Sequence, residues 1–172
     1  MSTFEEYSHL DLAAIHTDVL ERWKAENVFE QTLSKRQGAE PWIFFEGPPS
    51  ANGLPGIHHV MARTIKDTIC RYKTIKGFNV KRKAGWDTHG LPVELGVEKE
   101  LGITKEDIGT KITVTEYNKA CKEAVMKYTS DWELLTKEMG YWVDMSSPYI
   151  TYSSKYIETV WWLLKNISEK NL

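Results

Sequence analysis

The chain has 172 residues, of which 41% are hydrophobic and 12% aromatic, so it is long enough and apolar enough to bury a core. Its 22 basic and 24 acidic residues leave a net charge of -2, which excludes the strong basic field of a protein that binds nucleic acid non-specifically. The two cysteines, Cys70 and Cys121, lack the spacing of a zinc site or of a disulfide framework, and no apolar run is long enough to cross a membrane. We therefore expect a globular protein in a reducing, cytoplasmic setting.

Residues 1–40 predict a helical arm followed by a connector. Asp11 is a candidate N-cap, and the apolar residues after it recur at helical spacing: Leu12, Ile15, Val19 and Trp23. Residues 34–40 are polar, contain Gly38 and precede Pro41, which is typical of a loop. We place a domain boundary at residue 40, and residues 41–172 form the main domain.

A strand, a loop and a helix are predicted between residues 42 and 72. Residues 42–45 are a short apolar run, typical of a strand buried on both faces. Residues 47–56 are rich in glycine and proline, which indicates a loop. Four apolar residues then fall on one face of a predicted helix: Met61, Ile65, Ile69 and Tyr72.

The rest of the chain predicts a second strand and further helices. Gly77 ends the first main helix, and residues 78–84 return as a strand, so the crossover makes the sheet parallel. Thr113 and Glu116 form a capping box that begins one long helix, roughly 40 Å in length, which ends at Gly140. A last helical face follows a turn at Pro148. The predicted fold class is α/β, a Rossmann-like parallel sheet preceded by an N-terminal helix and followed by long helices.

The loop of residues 47–56 lies where an open parallel sheet binds its ligands, between the carboxyl end of a strand and the amino end of a helix. His58 and His59 open that helix, and their ring N–H groups are able to reach phosphate oxygens. Two alternatives stay open on these residues alone. The loop also fits a plain turn, and the histidines also fit ordinary polar caps.

Residues 46–59 read Glu-Gly-Pro-Pro-Ser-Ala-Asn-Gly-Leu-Pro-Gly-Ile-His-His, and this stretch resembles the first signature of the class I aminoacyl-tRNA synthetases. In that family the signature ends in His-x-Gly-His. Here Gly56 stands where the family has its first histidine, and His58 stands where the family has glycine. The resemblance implies that His59 is a catalytic residue that stabilises charge on the α-phosphate of ATP. It also implies that His58 substitutes for the missing imidazole. The implied ATP-binding residues are Pro49, Asn52, Gly53, Gly56, His58 and His59.

Residues 85–94 read Gly-Trp-Asp-Thr-His-Gly-Leu-Pro-Val-Glu, and they resemble the second signature of the isoleucine-type enzymes in that family. The resemblance implies that Asp87 binds the α-amino group of the amino acid, and that Gly47 and Pro48 line the pocket for its side chain. Asp87 has an alternative interpretation, because an aspartate at this position is also able to cap the following helix.

The family resemblance extends over essentially the whole chain. It implies a ligase that activates isoleucine with ATP, accompanied by Mg²⁺, and passes the isoleucyl group to tRNA, with no tightly bound metal in this chain. The family's editing insert, second ATP motif and anticodon-binding domain do not occur within these residues, so the chain alone is expected to be inactive. The parent enzyme is expected to be monomeric.

Two further hypotheses stay open. The chain could be a short non-catalytic relative that binds ATP or an amino acid, or that pairs with a partner chain, and the exchanged Gly56 and His58 motivate this reading. It could instead be an unrelated nucleotide-binding fold with a chance loop, which the second signature disfavours. The aromatic residues of the later helices are read as core packing. The basic residues between Arg71 and Lys83 are read as a solvated surface.

Overall fold

The computed structural model describes residues 9–172, and the part of the predicted arm that falls on residues 1–8 lies outside them. Within the described residues, three strands alternate with helices: β1 Pro41–Phe45, β2 Asn79–Trp86 and β3 Asp144–Ile150. The helices are α1 Leu12–Ala25, α2 Val28–Ser34, α3 Ile57–Ile75, α4 Leu91–Leu101, α5 Val114–Val125, α6 Thr129–Glu138 and α7 Ser154–Glu169. A short 3-10 helix, Lys105–Asp107, connects α4 with α5.

The three strands form one parallel sheet in the order β1-β2-β3, which confirms the predicted α/β class. The third strand was not predicted, and the turn predicted at Pro148 is wrong because Pro148 lies inside β3. Proline lacks a backbone N–H and is tolerated in edge strands, and β3 is an edge strand of the described sheet. The register between β2 and β3 also shifts between Lys83 and Gly85, so the ladder is already irregular there.

The prediction that β1 is buried on both faces is wrong. Trp42 and Phe44 are partly covered, and the ammonium of Lys73 on α3 lies 5.9 Å from the Trp42 ring centroid. On the opposite face, Ile43 and Phe45 are 62% and 59% exposed. The strand also lies at the edge of the described sheet, so the described residues leave part of its apolar surface uncovered.

The apolar stripe predicted on α3 points outward. Its four members are exposed: Met61, Ile65, Ile69 and Tyr72. The buried residues of α3 are instead Arg63, Cys70 and Thr74. This helix therefore packs on the body through its more polar side and leaves its apolar side uncovered within the described residues.

The single long helix predicted between Thr113 and Gly140 is wrong, because the structure divides it into α5 and α6. The capping box at Thr113 is present, with the Glu116 backbone N–H donating to the Thr113 hydroxyl at 3.2 Å. The helix breaks after Val125, and the Tyr128 N–H donates to the carbonyl oxygen of Ala51 at 3.0 Å. A bond to the glycine-rich loop thus takes the place of a helical one.

Two arginines that the sequence predicted to be solvated lie in a polar network beneath the arm. Arg82 is buried and donates to the Asp67 carboxylate at 2.9 Å, while Arg71 donates to the other carboxylate oxygen at 2.7 Å. The Arg71 guanidinium also lies 3.6 Å from the ring centroid of Trp142. Trp23 of α1 packs on the same Trp142 ring at 5.1 Å, so the arm contacts the body through this residue.

Gly85 in β2 lies against the ring of Tyr149 in β3. A Cβ atom on Gly85 would come 2.3 Å from a Tyr149 ring carbon, far inside van der Waals contact. We expect Gly85→Ala to destabilise the chain by about 1–3 kcal/mol through overpacking, measured by urea unfolding. The matched control is Gly96→Ala in α4, where an added Cβ meets nothing within 4 Å, and this change should stabilise the helix slightly. Equal stability of the two variants would contradict the expectation.

Candidate active site

The carboxyl ends of the three strands meet at one edge of the sheet, and this edge holds both predicted motifs. Asp87 directly follows β2, and its N–H donates to the carbonyl oxygen of Pro49 in the glycine-rich loop at 2.9 Å. The Thr88 and Thr151 hydroxyls, which follow β2 and β3, are buried and lie 2.9 Å apart. These contacts hold the loop and Asp87 at adjacent positions on the sheet edge.

The glycine-rich loop is anchored to the start of α6. Ala51 is fully buried, and its carbonyl oxygen accepts the bond from Tyr128 described above. Two residues later, the carbonyl oxygen of Gly53 accepts a 2.9 Å hydrogen bond from the indole nitrogen Nε1 of Trp132. The loop therefore has defined hydrogen-bond partners at Ala51 and Gly53.

The two histidines occupy different positions at the start of α3. Gly56 is the N-cap, and its backbone N–H donates to Nδ1 of His59 at 2.9 Å. Because Nδ1 accepts that bond, the neutral His59 ring carries its proton on Nε2, where it is available to a ligand. His58 is exposed, and its ring centroid lies 3.8 Å from that of His59.

The electrostatic setting of His59 favours the neutral imidazole. Burial lowers the pKa of His59 below its usual value of 6.5, and positive charge on His58 and on Arg63 lowers this pKa further. Arg63 is itself buried between the rings of Trp132 and Tyr141, with its guanidinium carbon 5.0 Å and 5.4 Å from their centroids. His59 is thus a neutral hydrogen-bond donor beside a fixed positive charge.

The alternative role of Asp87 as a helix cap is wrong. The N-cap of α4 is Gly90, and no side chain caps this helix. The Asp87 carboxylate instead accepts a long hydrogen bond of 3.4 Å from the His89 backbone N–H. This leaves acceptor positions on the carboxylate free for a cationic group.

Glu46 was missed by the sequence analysis, although it immediately precedes the loop. Its side chain is 1% exposed, forms an ion pair with Lys66 of α3, and accepts a hydrogen bond from the Tyr141 hydroxyl. The Tyr149 hydroxyl donates to the Glu46 backbone carbonyl oxygen. Burial first, and the Glu46 carboxylate second, raise the pKa of Tyr141, so this hydroxyl remains a donor. In the sequence, Glu46 is an acidic residue before a glycine-proline pair, and this pattern does not indicate that it is buried.

The structure brings the predicted residues to one edge but does not join all of them. Asp87 contacts the loop at Pro49, whereas His59 contacts it at Gly56. Asn52 accepts a bond from the Ser50 hydroxyl at 2.9 Å. Within residues 9–172, no hydrogen bond or ring contact links His59 with Asp87.

The described residues contain neither a candidate metal cluster nor a candidate membrane span. No group of three or more His, Cys, Asp and Glu side chains in residues 9–172 is arranged to hold a metal ion. None of the helices in the same residues is long and apolar enough to cross a membrane.

Comparison with known proteins identifies the class that this fold and site define. Residues 18–172 match the family of class I tRNA synthetases of the I, L, M and V types. The chain belongs to this family. It is 66% identical over 169 residues to the isoleucine–tRNA ligase of Bacteroides thetaiotaomicron, and 66% identical to that of Porphyromonas gingivalis. It is 49% identical over 166 residues to the isoleucine–tRNA ligase of Thermobifida fusca.

The relatives are much longer than this chain. The matches cover 98% of the chain but 14% of the Bacteroides thetaiotaomicron ligase and 15% of the Porphyromonas gingivalis ligase. A solved structure, the agnB2 LeuRS of Agrobacterium radiobacter K84 in a ternary complex with tRNA and LeuAMS, aligns with a TM-score of 0.61 at 18% identity. That alignment covers 95% of the chain and 18% of the LeuRS chain, and it supports the fold alone.

Proposed function

We propose that residues 41–172 are the first part of the catalytic domain of an isoleucine–tRNA ligase, with residues 1–40 as a helical arm. The parent enzyme activates isoleucine with ATP and Mg²⁺ to isoleucyl-adenylate and pyrophosphate, and then transfers the isoleucyl group to tRNA. It acts as a monomer in the cytoplasm. The identity of 66% to two isoleucine–tRNA ligases supports the choice of amino acid.

The observation that carries the proposal is the 2.9 Å hydrogen bond from the Asp87 N–H to the Pro49 carbonyl oxygen. It places the acidic residue of the second motif directly against the loop of the first. In this arrangement the Asp87 carboxylate binds the α-amino group of isoleucine through a charge-assisted hydrogen bond. Gly47 and Pro48, at the start of the loop, line the pocket for the aliphatic side chain.

ATP binds along the rest of the loop and the amino terminus of α3. The first turn of this helix presents unpaired backbone N–H groups and a partial positive charge, both of which attract phosphate. The Nε2–H of His59 donates to an α-phosphate oxygen and stabilises the charge that builds there as the isoleucine carboxylate attacks. His58, whose ring centroid lies 3.8 Å from that of His59, adds a second donor. The nucleotide site is completed by the remaining ATP-binding residues, Pro49, Asn52, Gly53 and Gly56.

The uncovered apolar surfaces agree with a longer parent protein. The outer face of α3 is exposed, and α7 contains no buried residue although its apolar side chains are large. A cleft of about 640 Å³ lies on the bare face of the sheet, lined in part by Phe45, Lys83, Tyr149 and Tyr156. Neither histidine lines this cleft. We assign it to packing against the remainder of the catalytic domain, since exposed apolar patches of this kind mark interaction surfaces.

The proposed activity is tested by isoleucine-dependent exchange of pyrophosphate into ATP. The full-length natural protein should catalyse the exchange, and the 172-residue chain alone should not. Exchange that depends on valine or leucine rather than isoleucine would contradict the proposed substrate. Binding of ATP without any exchange by the full-length protein would favour a non-catalytic relative.

Asp87→Asn tests the amino-acid site. Loss of the charge weakens a charge-assisted hydrogen bond worth about 1.5–3 kcal/mol, so we expect the KM for isoleucine to rise roughly 10–100-fold. The KM for ATP should change little, because the substitution keeps the backbone N–H that bonds to Pro49, and the other proposed ATP-binding residues lie farther along the chain. The matched control is Asp131→Asn on the exposed side of α6, which should leave both constants unchanged. An equal rise in both KM values would contradict the assignment.

A further inference from the structure

Trp132 of α6 contacts several parts of the candidate ATP site, although it lies 79 residues beyond the loop. Its side chain is 1% exposed. The indole Nε1–H donates to the Gly53 carbonyl oxygen at 2.9 Å. Its ring centroid lies 4.7 Å from that of His59, with the two ring planes inclined by 74°. One buried side chain therefore contacts both the loop and the proposed catalytic histidine.

The bond to Gly53 sets the path of the loop. Together with the bond from Tyr128 to Ala51, it fixes two carbonyl oxygens of the loop that are two residues apart. Both donors belong to the first turn of α6 or its immediate flank, so the loop is held against one rigid element. Asn52, one of the proposed ATP-binding residues, lies between the two anchored carbonyls.

The ring contact sets the orientation of His59. The Gly56 N–H holds Nδ1 of the imidazole at 2.9 Å, and the Trp132 ring limits the tilt of the same imidazole. With both constraints in place, the Nε2–H of His59 has one direction in which it donates. A proton donor held in one direction stabilises developing charge better than one that must reorient.

We propose that Trp132 is a positioning residue for ATP, acting through the Gly53 carbonyl oxygen and the His59 ring rather than by touching the nucleotide. This inference rests on the proposed function. It differs from ordinary core packing, because a core residue stabilises the fold as a whole, whereas the bond to the Gly53 carbonyl requires the indole N–H itself. Phenylalanine keeps most of the ring volume and removes that N–H, so the two roles are separable.

The experiment uses Trp132→Phe in the full-length natural protein. Leaving the Gly53 carbonyl without its donor should raise the KM for ATP about tenfold. The KM for isoleucine should stay within about twofold, since Asp87 and Pro49 keep their contact. The matched control is Trp42→Phe at the amino end of β1, the end of the strand away from the loop, and it should leave both constants unchanged.

Hydrogen exchange gives a readout that does not depend on activity. In Trp132→Phe, amides of residues 50–60 should exchange faster, while amides of α4 should exchange at the wild-type rate. An unchanged loop, or faster exchange spread equally over all segments, would overturn the inference. An unchanged KM for ATP in the active variant would also overturn it. If the wild-type protein shows no isoleucine-dependent exchange, the proposed function fails, and the amide exchange rates still decide the role of Trp132.

Discussion

Glu46→Ala is expected to cost about 3–5 kcal/mol of folding free energy, more than the loss expected for Gly85→Ala. Glu46 is 2% exposed, and its carboxylate holds Lys66 and Tyr141 together. Removing it leaves a partly buried ammonium and a buried hydroxyl without their partner, and each then keeps its desolvation cost. The measurement is urea unfolding of the chain followed by circular dichroism.

Two comparisons separate the ion pair from other effects of the Glu46 change. The double variant Glu46→Ala with Lys66→Met should recover part of the loss, because the unpaired ammonium is also removed. The control Glu138→Ala removes a carboxylate that is 60% exposed and lies 3.7 Å from His16, and it should cost less than about 1 kcal/mol. If Glu46→Ala loses as little folding free energy as Glu138→Ala, the contacts of Glu46 with Lys66 and Tyr141 do not stabilise the fold as expected.

His59→Ala is expected to lower the rate of isoleucine-dependent pyrophosphate exchange by roughly 10²–10³, the loss typical when one preorganised donor to a developing anion is removed. The Nε2–H is the donor in this geometry, because Nδ1 is taken by the Gly56 N–H. The measurement is the exchange rate of the full-length protein at saturating ATP. His16→Ala on α1 is the matched control and should retain the wild-type rate. Full activity of His59→Ala would contradict the catalytic role.

Stability as a function of pH checks the environment of the same residue. Burial lowers the pKa of His59 below 6.5, so the unfolded chain binds a proton at pH values where the folded chain does not. The contribution of His59 to the free energy of unfolding is therefore fully present above pH 6.5. It is lost as the pH falls below 6.5 toward the lowered pKa of the folded chain. His59→Gln should remove this component of the acid destabilisation. An identical pH profile in the variant would contradict the lowered pKa.

The features predicted from sequence alone were those with local causes. The N-cap at Asp11 accepts from the Ala13 and Ala14 amides, and the capping box at Thr113 forms as predicted. Gly77 follows the end of α3 with a φ of 97°, a left-handed conformation that glycine adopts readily. Each of these signals involves residues within four positions of one another, so no knowledge of the fold is needed to read them.

The features that the sequence missed depend on contacts between distant residues. The break between α5 and α6 coincides with a hydrogen bond from Tyr128 to Ala51. The apolar pattern of residues 113–140 is helical throughout, so it does not indicate the break. The outward direction of the stripe on α3 was not predicted, because apolar periodicity shows which residues share a face but not which face is covered. β3 was missed since its proline reads as a turn when its edge position is unknown.

The sequence by itself determined the family, the parallel strand-helix-strand unit and the two motifs that carry the predicted site residues, because these are written in contiguous residues. Tertiary structure alone decided how the motifs meet. Asp87 contacts Pro49, Trp132 reaches Gly53 across 79 residues, and Tyr141 reaches Glu46 across 95. Such pairs form only when packing brings separate elements together, and nothing in the local pattern around either partner specifies the other.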